Sequence, residues 1–194
     1  MKPRGATVWL TGLPSAGKTT IGDAVAAGLW EAGYAAYRLD GDVLRGTLNA
    51  DLGFDAASRD ENVRRAAHVA WLLADAGIIS VVSLISPYRA MRQDARRLHE
   101  AAGLPFVEVY LDTPLAECER RDRRGLYARA RRGELKGMTG IDDPYEPPLE
   151  PEVTLYTAQQ PVAEAAAATL DVVLSLDLAT VLRVPAGRDA PAAD

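Results

Sequence analysis

The residues Gly12-Leu-Pro-Ser-Ala-Gly17-Lys18-Thr19 match the pattern G-x-x-x-x-G-K-[ST] at every fixed position. They sit between an apolar run of strand length, Thr7–Leu10, and a stretch with helical period, Lys18–Glu31. That context constrains the chain more than any other feature. The glycines let the backbone curl around a phosphate, while the exposed N–H groups and the helix N-terminus supply positive potential. Lys18 reaches toward β- and γ-phosphates, and the Thr19 hydroxyl offers a ligand to Mg²⁺. A chance glycine turn would require neither the strand before it nor the helix after it.

A strand that delivers its C-terminal end into a phosphate loop belongs in a parallel sheet, and the rest of the chain agrees. Strand-length runs at Ala36–Leu39, Ile78–Leu84, Val107–Leu111 and Val153–Leu155 alternate with helical stretches over about Asp60–Ala76, Arg89–Ala102, Leu115–Asp122 and Val162–Leu176. The reading is a three-layer α/β fold, a mostly parallel five-stranded sheet with helices on both faces. From Gly125 to Pro151 both periods fade while glycine, proline and charge accumulate, which predicts a long functional connection. The expected organisation is one domain over residues 1–185 with a lid over about 123–150. A disordered tail is expected over 186–194, where alanine, proline, glycine and aspartate dominate.

Bulk properties narrow the partners. The net charge of −5 gives no general pull toward nucleic acid, although seven arginines crowd the stretch Arg120–Arg132. That stretch is either a solvated helix face or a charged edge of the lid. The lone Cys118 allows no internal disulfide, no Cys/His set has metal-ligand spacing, and no long apolar stretch suggests a membrane span; a cytoplasmic protein is expected.

The loop by itself is shared by GTP-dependent switches, motor ATPases and kinases. A guanine-reading Asn-Lys-x-Asp segment is absent from the sequence. A kinase needs parts for three tasks: an acceptor hydroxyl in line with the γ-phosphate, exclusion of water, and charge to meet the transition state. Asp40 and Asp42, at the end of the second strand, can hold Mg²⁺ waters or accept a hydroxyl proton, or else form a capped Asp-Gly turn. Which of them is base and which helps the metal stays open. Arg45, Arg59, Asn62, Arg64 and Arg65 follow, suited to bidentate oxyanion binding or to an ordinary charged helix face. Cys118 reads as a small buried hydrophobe, and His68 and His99 as surface or packing residues.

With these residues assembled, the chain resembles the adenylylsulfate kinases, a P-loop kinase family, from about Thr7 to Leu155. The resemblance is carried by Leu39-Asp-Gly-Asp42, Asp51-Leu-Gly-Phe54, Glu61-Asn-Val-Arg-Arg65, Ile85-Ser-Pro-Tyr-Arg89, Gly125-Leu-Tyr127 and Thr139-Gly-Ile-Asp142 followed by Pro144-Tyr-Glu146. It implies transfer of the ATP γ-phosphate, with Mg²⁺, to the 3′-hydroxyl of adenosine 5′-phosphosulfate; the alternative is another nucleotide or nucleoside acceptor, and a regulatory subunit without turnover is a third reading. By the same resemblance ATP lies on Gly12, Ser15, Ala16, Gly17, Lys18, Thr19 and Thr20, with Arg121 and Gln160 beside it. Asp42, Arg45, Phe54, Arg59, Asn62, Ile85, Ser86, Arg124, Gly137 and Met138 would surround the acceptor, with Phe54 stacking on its adenine. Lys18, Asp40, Asp42 and Ser86 would form the reacting centre, Ser86 as a positioning residue. A homodimer is also implied. Three departures from the family's pattern stand out: Val43 where an amide is usual, Arg124 where lysine is common, and Met138 where many members carry phenylalanine.

Overall fold

The computed structural model describes residues 4–184, so the expected tail over 186–194 lies outside the described residues. Five strands, β1 (Thr7–Thr11), β2 (Ala36–Asp40), β3 (Ile79–Ser83), β4 (Phe106–Leu111) and β5 (Val153–Leu155), form one parallel sheet in the order β2-β3-β1-β4-β5. The register sets Thr7 beside Ser80 and Phe106, which brings the C-terminal ends of β1, β3 and β4 to one edge. Ligands bind at that edge in open parallel sheets.

Both faces of the sheet are covered, so the strands read as continuous apolar runs. Val8 and Leu10 of β1 face one core, with Ile79 and Val81 of β3, beneath α1 (Lys18–Glu31) and α7 (Val162–Leu174). Trp9 and Val82 point the other way, into a second core with α2 (Gly41–Gly46), α3 (Ala56–Asp75) and α4 (Arg89–Ala101). Trp9 packs on Phe106 with ring centroids 5.8 Å apart. The first core needs one close approach: a Cβ on Gly22 of α1 would stand 2.6 Å from Ser83 Oγ.

Helix boundaries depart from the sequence reading in three places. α3 begins at Ala56 and not near Asp60, because the Asp55 carboxylate accepts from Ser58 N at 3.0 Å and caps the helix a turn earlier. Asn62 therefore lies in its second turn. The short α2 was not foreseen; Asp40 caps it by accepting from Asp42 N at 2.9 Å. The stretch expected to be an irregular connection contains α6 (Leu126–Arg131), which follows α5 (Leu115–Arg120) and starts after Gly125 at φ 65°. Tyr127, Ala130 and Met138 from this stretch are buried in the first core, an apolar anchorage that its charged composition hides.

His99 is fully buried beneath the second core. Its Nε2 pairs with Thr7 Oγ1 at 2.9 Å, its Nδ1 with Ala95 O at 2.7 Å, and its ring lies 5.2 Å from Phe106. Burial pushes the imidazole below its ordinary 6.5. The unfolded chain therefore binds a proton that the folded chain refuses, and stability is lost as pH falls below about 6.5, by up to ~1.4 kcal/mol per pH unit. We expect the melting temperature to drop between pH 7 and 5.5, and His99→Gln to flatten that slope; an equally steep slope in the variant would assign the effect to other groups.

Candidate active site

The phosphate loop is built by turning its carbonyls onto protein donors. Lys18 Nζ donates to Gly12 O at 2.9 Å and Leu13 O at 2.7 Å. Tyr127 OH donates to Pro14 O at 3.0 Å, and Thr157 Oγ1 to Ala16 O at 2.9 Å. Ser15 at φ 61° and Gly17 at φ 103° supply the left-handed bends. What remains for an anion is the amide side of the loop and the first N–H groups of α1, which have no partner within the helix. Arg121 rests against the same loop, donating to Thr157 O at 2.7 Å and Ala16 O at 3.4 Å while paired with Glu117 at 2.6 Å. Gln160 closes the neighbouring turn, its Oε1 accepting from Tyr156 N at 2.7 Å. Thr20 is exposed in the first turn of α1.

Desolvation lowers the Lys18 ammonium from 10.5 to about 8, opposed by the carboxylates of Asp40 and Asp42. A triphosphate in the loop would restore the charge it disfavours when empty. A cleft of about 580 Å³ opens beside Leu13, between Tyr110, Thr113 and the segment Asp142–Tyr145.

The two aspartates after β2 differ in their surroundings. Asp40 is buried, and its Oδ2 accepts from Thr19 Oγ1 at 2.8 Å while its Oδ1 caps α2. That pair of oxygen ligands beside a phosphate loop suits a hard cation such as Mg²⁺, which is commonly held by one or two side chains plus substrate phosphates. Asp42 stands on the open side, its side chain 60% exposed and ion-paired with Arg124 at 2.8 Å.

Opposite lie the arginines. Arg45 donates to Gly53 O at 2.9 Å, and its guanidinium covers the Phe54 ring at 4.3 Å; that ring is otherwise 64% exposed. Arg59 donates to Phe54 O at 2.7 Å, to Thr139 Oγ1 and to Gly137 O, and lies 3.2 Å from Asp143. Burial and the nearby Arg59 charge hold the Arg45 guanidinium below its ordinary value. Asn62 is turned inward, its Oδ1 accepting from Asn49 Nδ2 at 2.9 Å. At the end of β3, Thr11 Oγ1 donates to Ile85 O at 2.7 Å, and Ser86 sits at φ 39° with its Oγ accepting from Trp9 Nε1 at 3.1 Å.

Most of the residues singled out from the sequence thus converge on one edge of the sheet. Met138 is 6% exposed and packs against the first core, its N–H donating to Asp142 Oδ1 at 2.6 Å. Several supporting residues were missed. Thr157 and Thr113 hold the loop, Tyr145 OH pairs with Thr11 Oγ1 at 2.9 Å, and Tyr88 OH donates to Asp143 Oδ1 at 2.9 Å. The rule that loops after parallel strands line the ligand edge would have pointed to Thr113 and Thr157.

A phosphate loop after the central strand, with Asp40 and Asp42 at the junction of β2 and α2 and arginines on α2 and α3, defines a P-loop kinase. Within that class, the family described as adenylylsulphate kinase matches residues 4–156, and the chain belongs to that family. It is 51% identical over 157 residues to the adenylyl-sulfate kinase of Clostridium acetobutylicum, covering 81% of this chain and 77% of that protein. The Saccharomyces cerevisiae adenylyl-sulfate kinase is 48% identical over 174 residues, covering 90% of this chain and 86% of its own. A bifunctional enzyme CysN/CysC of Mycobacterium tuberculosis is 51% identical over 173 residues; the match covers 89% of this chain and 28% of that enzyme. Among solved structures, the M. tuberculosis APS kinase in complex with AMPPNP and APS superposes with a TM-score of 0.86 at 50% identity, covering 89% of this chain and 99% of that one. A hexameric APS kinase from Thiobacillus denitrificans gives 0.67 at 33% identity, covering 95% of this chain and 31% of that one.

Because Lys18 titrates near pH 8 in the free loop, triphosphate binding at pH 8 should take up roughly half a proton. Calorimetry in buffers of different ionisation enthalpy measures this. Lys18→Arg, charged at all accessible pH, should show none; an undiminished uptake would place the proton on another group.

Proposed function

We propose that the protein transfers the γ-phosphoryl group of ATP to the 3′-hydroxyl of adenosine 5′-phosphosulfate, giving ADP and 3′-phosphoadenosine 5′-phosphosulfate. The observation that carries the acceptor is the Arg45 guanidinium lying 4.3 Å over an exposed Phe54 ring, with Arg59 held to the Phe54 carbonyl beside it. A phosphosulfate offers Arg45 a bidentate anionic partner, and an adenine stacks on Phe54. ATP lies along Gly12–Thr20 with Arg121 and Gln160 at its flank, and Ile85, Ser86, Asn62, Gly137 and Met138 shape the acceptor's side.

Asp40 and Thr19 would hold Mg²⁺, which neutralises charge on the β- and γ-phosphates when bound. Lys18 meets the charge that grows on the transferred group, and its low-water setting strengthens that interaction. Asp42 is free of capping duty and faces open space, so it takes the hydroxyl proton as the acceptor oxygen attacks. The segment over about 123–150 serves as a lid within a single kinase domain, and Arg124, paired to Asp42, moves onto phosphate as the base is released to the hydroxyl. The setting is the cytoplasm and the expected assembly a homodimer; sedimentation tests the latter.

Incubation with ATP, Mg²⁺ and adenosine 5′-phosphosulfate should yield ADP and the 3′-phosphorylated product, with little turnover on AMP, adenosine or no acceptor. Faster turnover on another nucleotide would replace this acceptor. Lys18→Ala should lower kcat by about 10²–10³ with the fold retained. Asp42→Asn should lower kcat by about 10²–10⁴ at unchanged ATP affinity, whereas Asp40→Asn should raise the Mg²⁺ concentration required. The reverse pattern would exchange the two roles.

A further inference from the structure

Arg92, on α4, is 2% exposed. Its guanidinium is shared in three directions. Nε donates to Glu108 Oε1 of β4 at 2.7 Å, Nη1 to Ser86 O at 2.6 Å, and Nη2 to Glu146 O at 2.6 Å. The same group lies 5.6 Å from the Tyr145 ring, whose hydroxyl meets Thr11 just before the phosphate loop. Glu108 is fixed in turn, its N–H donating to Glu152 Oε2 at 2.6 Å, while Arg96 pairs with Glu152 at 2.7 Å. The buried Arg92–Glu108 pair thus continues outward to the half-buried Arg96 and the exposed Glu152.

Ser86 carries the strain in this arrangement. A serine at φ 39° is held only where the surroundings over-determine it, and here Arg92 grips its carbonyl while Trp9 and Thr11 grip its hydroxyl. The carbonyl of Glu146, at the far end of the 123–150 segment, is gripped by the same guanidinium. Lysine could keep the charge but, as a point donor, could not span three acceptors in one plane.

We infer that Arg92 is a positioning residue for the acceptor half of the reaction: it sets the Ile85–Ser86 turn and fastens the returning end of the lid segment to it. This rests on the function proposed above. Loss of Arg92 should misplace the acceptor while leaving the phosphate loop, which it does not touch, intact.

Four proteins test this: the wild type, Arg92→Lys, Arg92→Met, and the double variant Arg92→Met/Glu108→Leu, in which an apolar pair replaces the buried charges without leaving one unpaired. KM for adenosine 5′-phosphosulfate should rise about tenfold or more in every variant, with KM for ATP within about twofold of wild type. The double variant should regain melting temperature over Arg92→Met without regaining acceptor KM. If both KM values move together, or if acceptor KM recovers with melting temperature, Arg92 is merely structural and the inference fails. Should the wild type not turn over this acceptor at all, the functional reading falls and takes this inference with it; wild-type turnover without the split sinks this inference alone.

Discussion

The ammonium of Lys18, held between the carbonyls of Gly12 and Leu13 with little water around it, is the interaction on which the site depends. A desolvated cation is unfavourable in the empty protein, which is why its pKa falls to about 8, and it becomes favourable when phosphate supplies the missing charge. The surrounding structure keeps that tension in place. Tyr127 and Thr157 fix the outer carbonyls of the loop, and β1 supports it from beneath through a fully buried Val8, Trp9 and Leu10.

Around this cation the protein separates tasks that similar side chains could confuse. Asp40 is spent on capping α2 and on Thr19, whereas Asp42, two residues later, faces open space and Arg124. Arg45 lies over the Phe54 ring, whereas Arg59 is paired with Asp143 and Arg92 and Arg96 with Glu108 and Glu152.

Much of the fold was legible because its signals are local. Glycine, lysine and threonine at fixed spacing, apolar runs of strand length and helical periods placed all five strands within a residue or two of their observed limits. Failures came where short capping interactions outweighed periodicity: Asp55 starts α3 early, and Asp40 creates α2. α6 was hidden because its arginines suggested solvent, although Tyr127 and Ala130 bury its other side in the first core. The resemblance to a family brought the residues proposed for the acceptor to attention, yet it did not show Met138 packed in the core or Arg45 lying over Phe54.

By itself the sequence determined a parallel α/β sheet, a phosphate loop at the end of its first strand, and the side chains available near it, since each depends on neighbours within a few residues. Only the tertiary structure decided how Asp40 and Asp42 divide their surroundings, that Arg124 reaches Asp42, and that one buried guanidinium joins Ser86 to Glu146. Those contacts unite segments distant along the chain, and charge partners at such separation are selected by packing geometry, which no local pattern encodes.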